Sequence, residues 1–181
     1  MKTEARYRLG LIELLKEKPL DEINVVLLCE HVDSNRQTFY YHYRDISDVV
    51  ENIFLKEKIL SNRRILEFDV LTKNIIAYIN TNYGFLSQIA KSYANDKMKD
   101  FFFTYYYKHI SDYLKADKDL KNTNEMFVVN RYISNVASNE LTFWIMTKRK
   151  EKAVLVQKRL EVLWNYLSKE YNQDLKKKVI K

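Results

Sequence analysis

Two glycines and one proline in 181 residues set the first constraint on this chain. Chains of short strands draw on Gly and Pro for their many turns, so a run of helices with short breaks suits this composition better than an all-β fold. The length leaves room for a small head and one larger domain. A single cysteine, Cys29, excludes an internal disulfide, and it sits where a small core residue is wanted. The longest uncharged stretch, Asn74 to Ala90, is interrupted by Asn80, Thr81, Asn82, Gly84 and Gln88, which excludes a membrane span there. No secretory apolar segment follows the N-terminus. A cytoplasmic protein without a membrane partner is expected.

The N-terminal residues read as a set of short helices. Residues 1–18 are helical in pattern, with Leu11, Ile12, Leu14 and Leu15 on an inward stripe. Thr3 fits an N-cap, and Pro19 stops the helix. Leu20 and Ile23 fit the packed ends of a connection. Asn24 caps a second helix, Val25 to His31, with Val25, Leu28 and Cys29 inward. Val32-Asp33-Ser34 forms a turn, and Asn35 caps a third helix by accepting from its orphan N–H groups. Two short helices joined by a turn of about 3–4 residues make a helix-turn-helix. The third helix is crowded with Arg36, Gln37, Thr38, Phe39, Tyr40, Tyr41 and His42. Phe39 belongs to the core, but the others cannot all point inward on so short a helix. Arg36 suits a bidentate contact to guanine, and Gln37 to adenine. Thr38, Tyr40 and His42 suit phosphates, which fix register.

The stretch from about Leu9 to Phe54 resembles the N-terminal domain of the TetR family of transcriptional regulators. The resemblance is carried by Ile23-Asn24-Val25, Leu28-Cys29-Glu30, Asn35-Arg36-Gln37-Thr38-Phe39-Tyr40, His42-Tyr43 and Arg44-Asp45. Three positions depart from the family pattern. Asp33 replaces the usual turn glycine, and Asp tolerates the left-handed conformation better than most residues. Ser34 replaces an apolar residue. Ile46 stands where many members place a phosphate-binding lysine at the start of the fourth helix, so Arg44 is expected to supply that charge. The DNA-contacting set that the resemblance implies is Thr3, Asn24, Asn35, Arg36, Gln37, Thr38, Tyr40, Tyr41, His42 and Arg44.

Charge is distributed against the simplest expectation. The net charge is +7, yet residues 1–50 hold 7 Lys/Arg against 9 Asp/Glu. The excess lies in residues 146–181, with 11 against 4. DNA binding by the head would therefore rest on where a few groups point. Lys2, Arg6 and Arg8 are candidates for phosphates from the first helix. A weakly charged head implies modest non-specific affinity and a shallow salt dependence. The run Lys176-Lys177-Lys178 reads as a solvated tail.

The rest of the chain parses into further helices: Ile46 to about Arg64, Asp69 to Asn80, Phe85 to Tyr93, Lys97 to Lys115, about Asn124 to Lys148, and Glu151 to about Lys176. Gly84 marks a helix stop, and Val49, Val50, Ile53, Phe54 and Ile59 face inward from the fourth helix. The final helix carries an apolar stripe of Val156, Leu160, Leu163 and Leu167, widened by Trp164. The preceding one offers Phe127, Val128, Tyr132, Val136, Phe143 and Trp144. Two such helices suit either packing within one subunit or a four-helix dimer interface. The resemblance favours the dimer, since regulators of this kind read palindromes with two heads.

Phe101-Phe102-Phe103-Thr104-Tyr105-Tyr106-Tyr107 puts six aromatics in seven positions, which cannot all face one core. The resemblance implies an effector pocket among the middle helices. Its candidate walls are Tyr78, Phe85, Tyr93, Phe102, Tyr106, Tyr132 and Trp144, with His109, Asn135 and Asn139 as polar anchors. Ordinary core packing is the alternative for each. The three histidines, His31, His42 and His109, have no metal-ligand spacing with Cys29 or each other. Two glycines cannot build a phosphate loop, and no nucleophile–base pair is legible. No cofactor, metal or enzymatic activity is expected.

The sequence thus predicts an all-α protein of about nine helices. A helix-turn-helix DNA-binding head spans residues 1–46, and a larger effector-binding and dimerisation domain spans 47–181. The expected function is a homodimeric regulator, a repressor by default, that binds a palindromic operator in double-stranded DNA under the control of a small-molecule effector. The alternatives are a DNA-binding coactivator or adaptor whose larger domain binds a protein, and a helical ligand-binding protein or enzyme with a vestigial head.

Overall fold

A computed structural model describes residues 3–57, 59, 68–116 and 124–179, except the side chains of 114, 116, 124–126 and 167–179. Among the described residues there are nine α-helices and no strand. They are α1 (Thr3–Leu14), α2 (Val25–His31), α3 (Arg36–His42), α4 (Ile46–Lys56), α5 (Phe68–Thr81), α6 (Tyr83–Ala90), α7 (Asn95–Ala116), α8 (Asn124–Met146) and α9 (Ala153–Val179), with a 3-10 turn at Leu20–Glu22. The chain forms two compact units, one of residues 1–58 and 79–101, the other of 59–78 and 102–181. No described helix is long and apolar enough to cross a membrane.

In the first unit α1 packs on α2 and α4, and α2 packs on α3. Tyr7, Leu11, Leu28 and Phe39 are fully buried at the centre, and Val49, Val50, Ile53 and Phe54 close it from α4. Gly10 permits the close approach of α1 to the end of α2, because a Cβ there would collide with Val32 Cγ1. Three sequence expectations change. α4 stops at Lys56, with the Glu57 N–H donating to the Phe54 carbonyl, so Ile59 lies past the helix. Gly84 does not end α5. It lies inside α6, and no glycine has positive φ, so its conformational freedom is not used. Thr3 is likewise the first residue of α1, and Asp69 lies in the first turn of α5.

In the second unit Phe68 of α5, Phe102, Tyr105 and Tyr106 of α7 and Trp144 of α8 are buried aromatics. Tyr105 donates to the Leu71 carbonyl at 3.1 Å, and Tyr106 to Thr72 Oγ1 at 3.2 Å. Phe68 stacks on Trp164 with ring centroids 4.9 Å apart. The aromatic run is accommodated by division. Phe101 stacks on Phe54 in the first unit, while Phe102, Tyr105 and Tyr106 are buried in the second. Phe103 and Tyr107, one turn apart, stack on each other at 5.4 Å.

Candidate nucleic-acid interface

The α2–α3 connection is built from backbone geometry first. Asp33 has φ of 48°, the left-handed conformation in which a turn glycine is favoured. The Ser34 N–H donates to the Cys29 carbonyl at 2.8 Å, and the Asp33 N–H to Glu30 at 3.2 Å. This is the paired hydrogen-bond pattern of a Schellman ending, which satisfies the last carbonyls of α2. Arg6 reinforces the same corner, donating to the carbonyls of Val32 and Asp33. The Ser34 hydroxyl lies 2.6 Å from the fully buried Tyr7 hydroxyl. Ser34 thus gives the buried Tyr7 hydroxyl an oxygen partner.

Both helix starts carry the expected caps. Asn24 Oδ1 accepts from the Leu27 N–H at 3.0 Å, and Asn35 Oδ1 from the Thr38 N–H at 2.9 Å. Asp45 caps α4 by accepting from the Asp48 N–H at 2.9 Å. Asp48 in turn accepts from the Arg44 N–H, and takes the Arg44 guanidinium in two bonds of 2.8 and 2.6 Å. The Arg44 guanidinium holds the Asp48 carboxyl below its ordinary range. Arg44 therefore presents an exposed but already paired charge.

Around this frame α3 divides cleanly. Phe39 is fully buried, with Tyr7 edge-on at 5.3 Å and Tyr43 at 5.7 Å. Tyr43 is also buried, and its hydroxyl donates to Asn52 Oδ1 at 3.2 Å; burial pushes its pKa up. Arg36, Gln37, Tyr40 and Tyr41 are exposed, Tyr40 by 58% and Tyr41 by 85%. Thr38 and His42 are half-buried, and His42 Nδ1 lies 3.9 Å from Glu4 of α1. Asn24 and Asn35 are exposed, whereas Thr3 is half-buried. Arg8 donates to Asn52 Oδ1 at 2.8 Å and is half-buried. The expectation that Arg6 and Arg8 reach outward from α1 thus gives way to their use inside the head. Lys2 lies outside the described residues.

The other predicted residues scatter. Phe85 and Tyr93 belong to the first unit. Phe85 is half-buried against Phe54, and Tyr93 is 57% exposed. In the second unit Phe102, Tyr106 and Trp144 are buried, and Trp144 Nε1 donates to the Glu151 carbonyl at 2.9 Å. Tyr78 and His109 are half-buried; burial lowers the His109 pKa. Tyr132, Asn135 and Asn139 are exposed on α8, away from those buried rings. Val156 and Leu160 of α9 are buried within the unit, and Leu163 and Trp164 are half-buried, so this stripe is turned largely inward. The Leu167 side chain lies outside the described residues. Among the described residues, the apolar side chains left exposed on these two helices are instead Phe127, Val128, Tyr132, Val136, Phe143 and Met146 of α8, and Val154, Leu155, Val162 and Tyr166 of α9. Among the described residues no cluster of His, Cys, Asp or Glu could hold a metal ion.

No protein-family model matches the chain, and a search of curated proteins finds no match. A solved structure does. The chain is similar to the dihydroxyacetone kinase operon activator DhaS, with a TM-score of 0.64 and 15% sequence identity, over 93% of this chain and 95% of that one. The two proteins share an all-helical fold along nearly their whole lengths.

Proposed function

We propose that the chain is a sequence-specific DNA-binding transcriptional regulator of TetR type. The observation that carries this reading is the exposed face of α3, which holds Arg36, Gln37, Tyr40 and Tyr41 on a capped helix anchored by buried Phe39. A helix with that face enters a major groove, where Arg36 and Gln37 meet base edges and Tyr40 and Thr38 meet phosphates. Asn24 and Asn35 then lie at helix N-termini that suit phosphate oxygens. Two copies joined through α8 and α9 present two such helices to a palindromic operator, with half-sites about 34–36 Å apart. The regulator acts as a repressor whose operator affinity falls when a small molecule occupies the larger unit and favours heads out of register.

A second reading, a coactivator or adaptor whose larger unit binds a protein, draws on a specific observation. Tyr106 and Trp144, two of the expected pocket walls, already spend their polar atoms inside the unit. The shared fold with an operon activator is compatible with it. Selection of bound genomic fragments at fixed near-physiological salt, beside a Tyr40→Ala control, tests the main reading. An enriched palindrome lost in the control supports it. No enrichment, with or without candidate ligands, overturns it. A reporter fused to the enriched site gives the sign of control.

A further inference from the structure

The exposed apolar residues of α8 and α9 belong to one face. Glu140 lies on α8 between Val136 and Phe143, and Arg159 lies on α9 between Leu155 and Val162 at helical spacing. Arg159 Nε donates to Glu140 at 2.7 Å, and its guanidinium also binds Glu151. That ion cluster ties the two exposed stripes to the same side of the helix pair. Among the described residues, ten exposed apolar side chains of the two helices leave on the order of 1,000 Å² in water by ordinary side-chain areas, against the ~800 Å² per partner that a stable pair buries.

Two polar residues interrupt the α8 stripe. Asn135 and Asn139 follow Tyr132 and precede Phe143, at spacings of three, four and four. Both are exposed. Asn135 Nδ2 donates to the Arg131 carbonyl and Asn139 Nδ2 to the Asn135 carbonyl, each at 2.9 Å. Those bonds hold the amides along the helix, and each keeps one N–H and its Oδ1 for an outside group.

We propose that Asn135 and Asn139 select the partner and fix the register of that face: they admit a second copy of this chain in one alignment and reject others. This rests on the dimer reading above. In water the amides are solvated at no cost. Covered by an apolar surface, the remaining N–H and the Oδ1 of each lose their hydrogen bonds to water, at about 1–3 kcal/mol per unsatisfied group. A second copy brings the same amides, which are donor and acceptor at once and so complement themselves across a two-fold axis. A slip of one turn leaves one of the two amides facing an amide and sets the other against the apolar stripe, at Tyr132 or Phe143. Single buried asparagines fix register and oligomeric state in helix pairs in this way, with some loss of stability.

The test compares the full-length wild type, the double variant Asn135→Leu/Asn139→Leu, and Asn135→Gln/Asn139→Gln, which keeps the amides. Sedimentation velocity at micromolar concentration is read beside circular dichroism. The expected result is one dimer boundary for the wild type and the Gln variant. The Leu variant loses that single boundary to a mixture including larger species, with its helix signal unchanged. A Leu variant that stays a single dimer overturns the proposal and leaves the dimer reading intact. A monomeric wild type overturns both.

Discussion

On α3, Tyr40 and Tyr41 stand in solvent beside Arg36 and Gln37; on α8, Tyr132 and Phe143 stand in solvent among valines and a methionine. Both faces expose aromatic rings, and their neighbours decide what each can meet. Tyrosines among a guanidinium and an amide remain hydrated and offer directed hydrogen bonds, which suits a wet, anionic partner such as a nucleic acid. Rings among aliphatic side chains gain most by leaving water altogether, which suits a dry partner of the same kind. Exposure alone therefore carries less information than the polarity around it.

The comparison breaks most sharply on α9, which has one apolar stripe inward and another outward. Phe143→Glu with Val162→Glu places charge on the outward face. The chain should then sediment as a monomer at micromolar concentration with its helical circular dichroism unchanged. Persistence of a dimer would remove this face from the interface. Leu160→Ala, on the inward stripe, should instead lower stability by about 2–5 kcal/mol, read by urea denaturation, and leave association unchanged. If the two variants exchange phenotypes, the assignment of the stripes is reversed.

The α3 face is sharpened by two smaller changes. Arg36→Ala should cost about 1–3 kcal/mol of binding and relax preference at one base pair. Equal loss on every sequence, measured by titration of operator variants, would make Arg36 a phosphate contact. Asn35→Ala removes a cap at about 1 kcal/mol, a loss that a melting curve detects even without DNA.

Much of the head was legible because its determinants are local. Caps at Asn24 and Asn35 depend on a few neighbouring residues, so residue type and spacing reveal them, whereas the left-handed conformation at Asp33 was implied by the family resemblance. Partners distant in sequence were not legible. Nothing near Ser34 announces Tyr7, and nothing near Arg6 announces the carbonyls of Val32 and Asp33, which lie 26 and 27 positions away. The larger unit was harder for a related reason. Periodicity reveals that Val156 and Leu160 share an apolar face with Leu163, but not whether that face meets its own chain or another. Gly84 was misread as a helix stop because glycine ends helices through positive φ, and at Gly84 φ is not positive. Ser134 and Asn130, buried on α8 with Ser134 Oγ bonded to Asn130 Oδ1 at 3.1 Å, gave no periodic signal of an inward face because polar residues break the stripe.

The smallest expected effect concerns the start of α4. Asp48 accepts from the Arg44 backbone and guanidinium, and these bonds hold its carboxyl below the ordinary carboxylate range. A carboxyl whose pKa is depressed by folding contributes stability that is complete above its unfolded value, near ~3.9, and is lost as pH falls through the folded value. Wild type and Asp48→Asn should therefore differ most at neutral pH and converge under acid, as seen in paired denaturation curves from pH 7 downward. Arg44 is fully exposed and well screened, so high salt should narrow the gap at neutral pH as well. A gap that is constant across pH would mean that Asp48 acts through its neutral hydrogen bonds alone. Freed from Asp48, Arg44 would be the one added cation beside α3, so non-specific DNA affinity of the variant should rise while its stability falls. That opposition distinguishes a residue that builds the head from one that touches DNA.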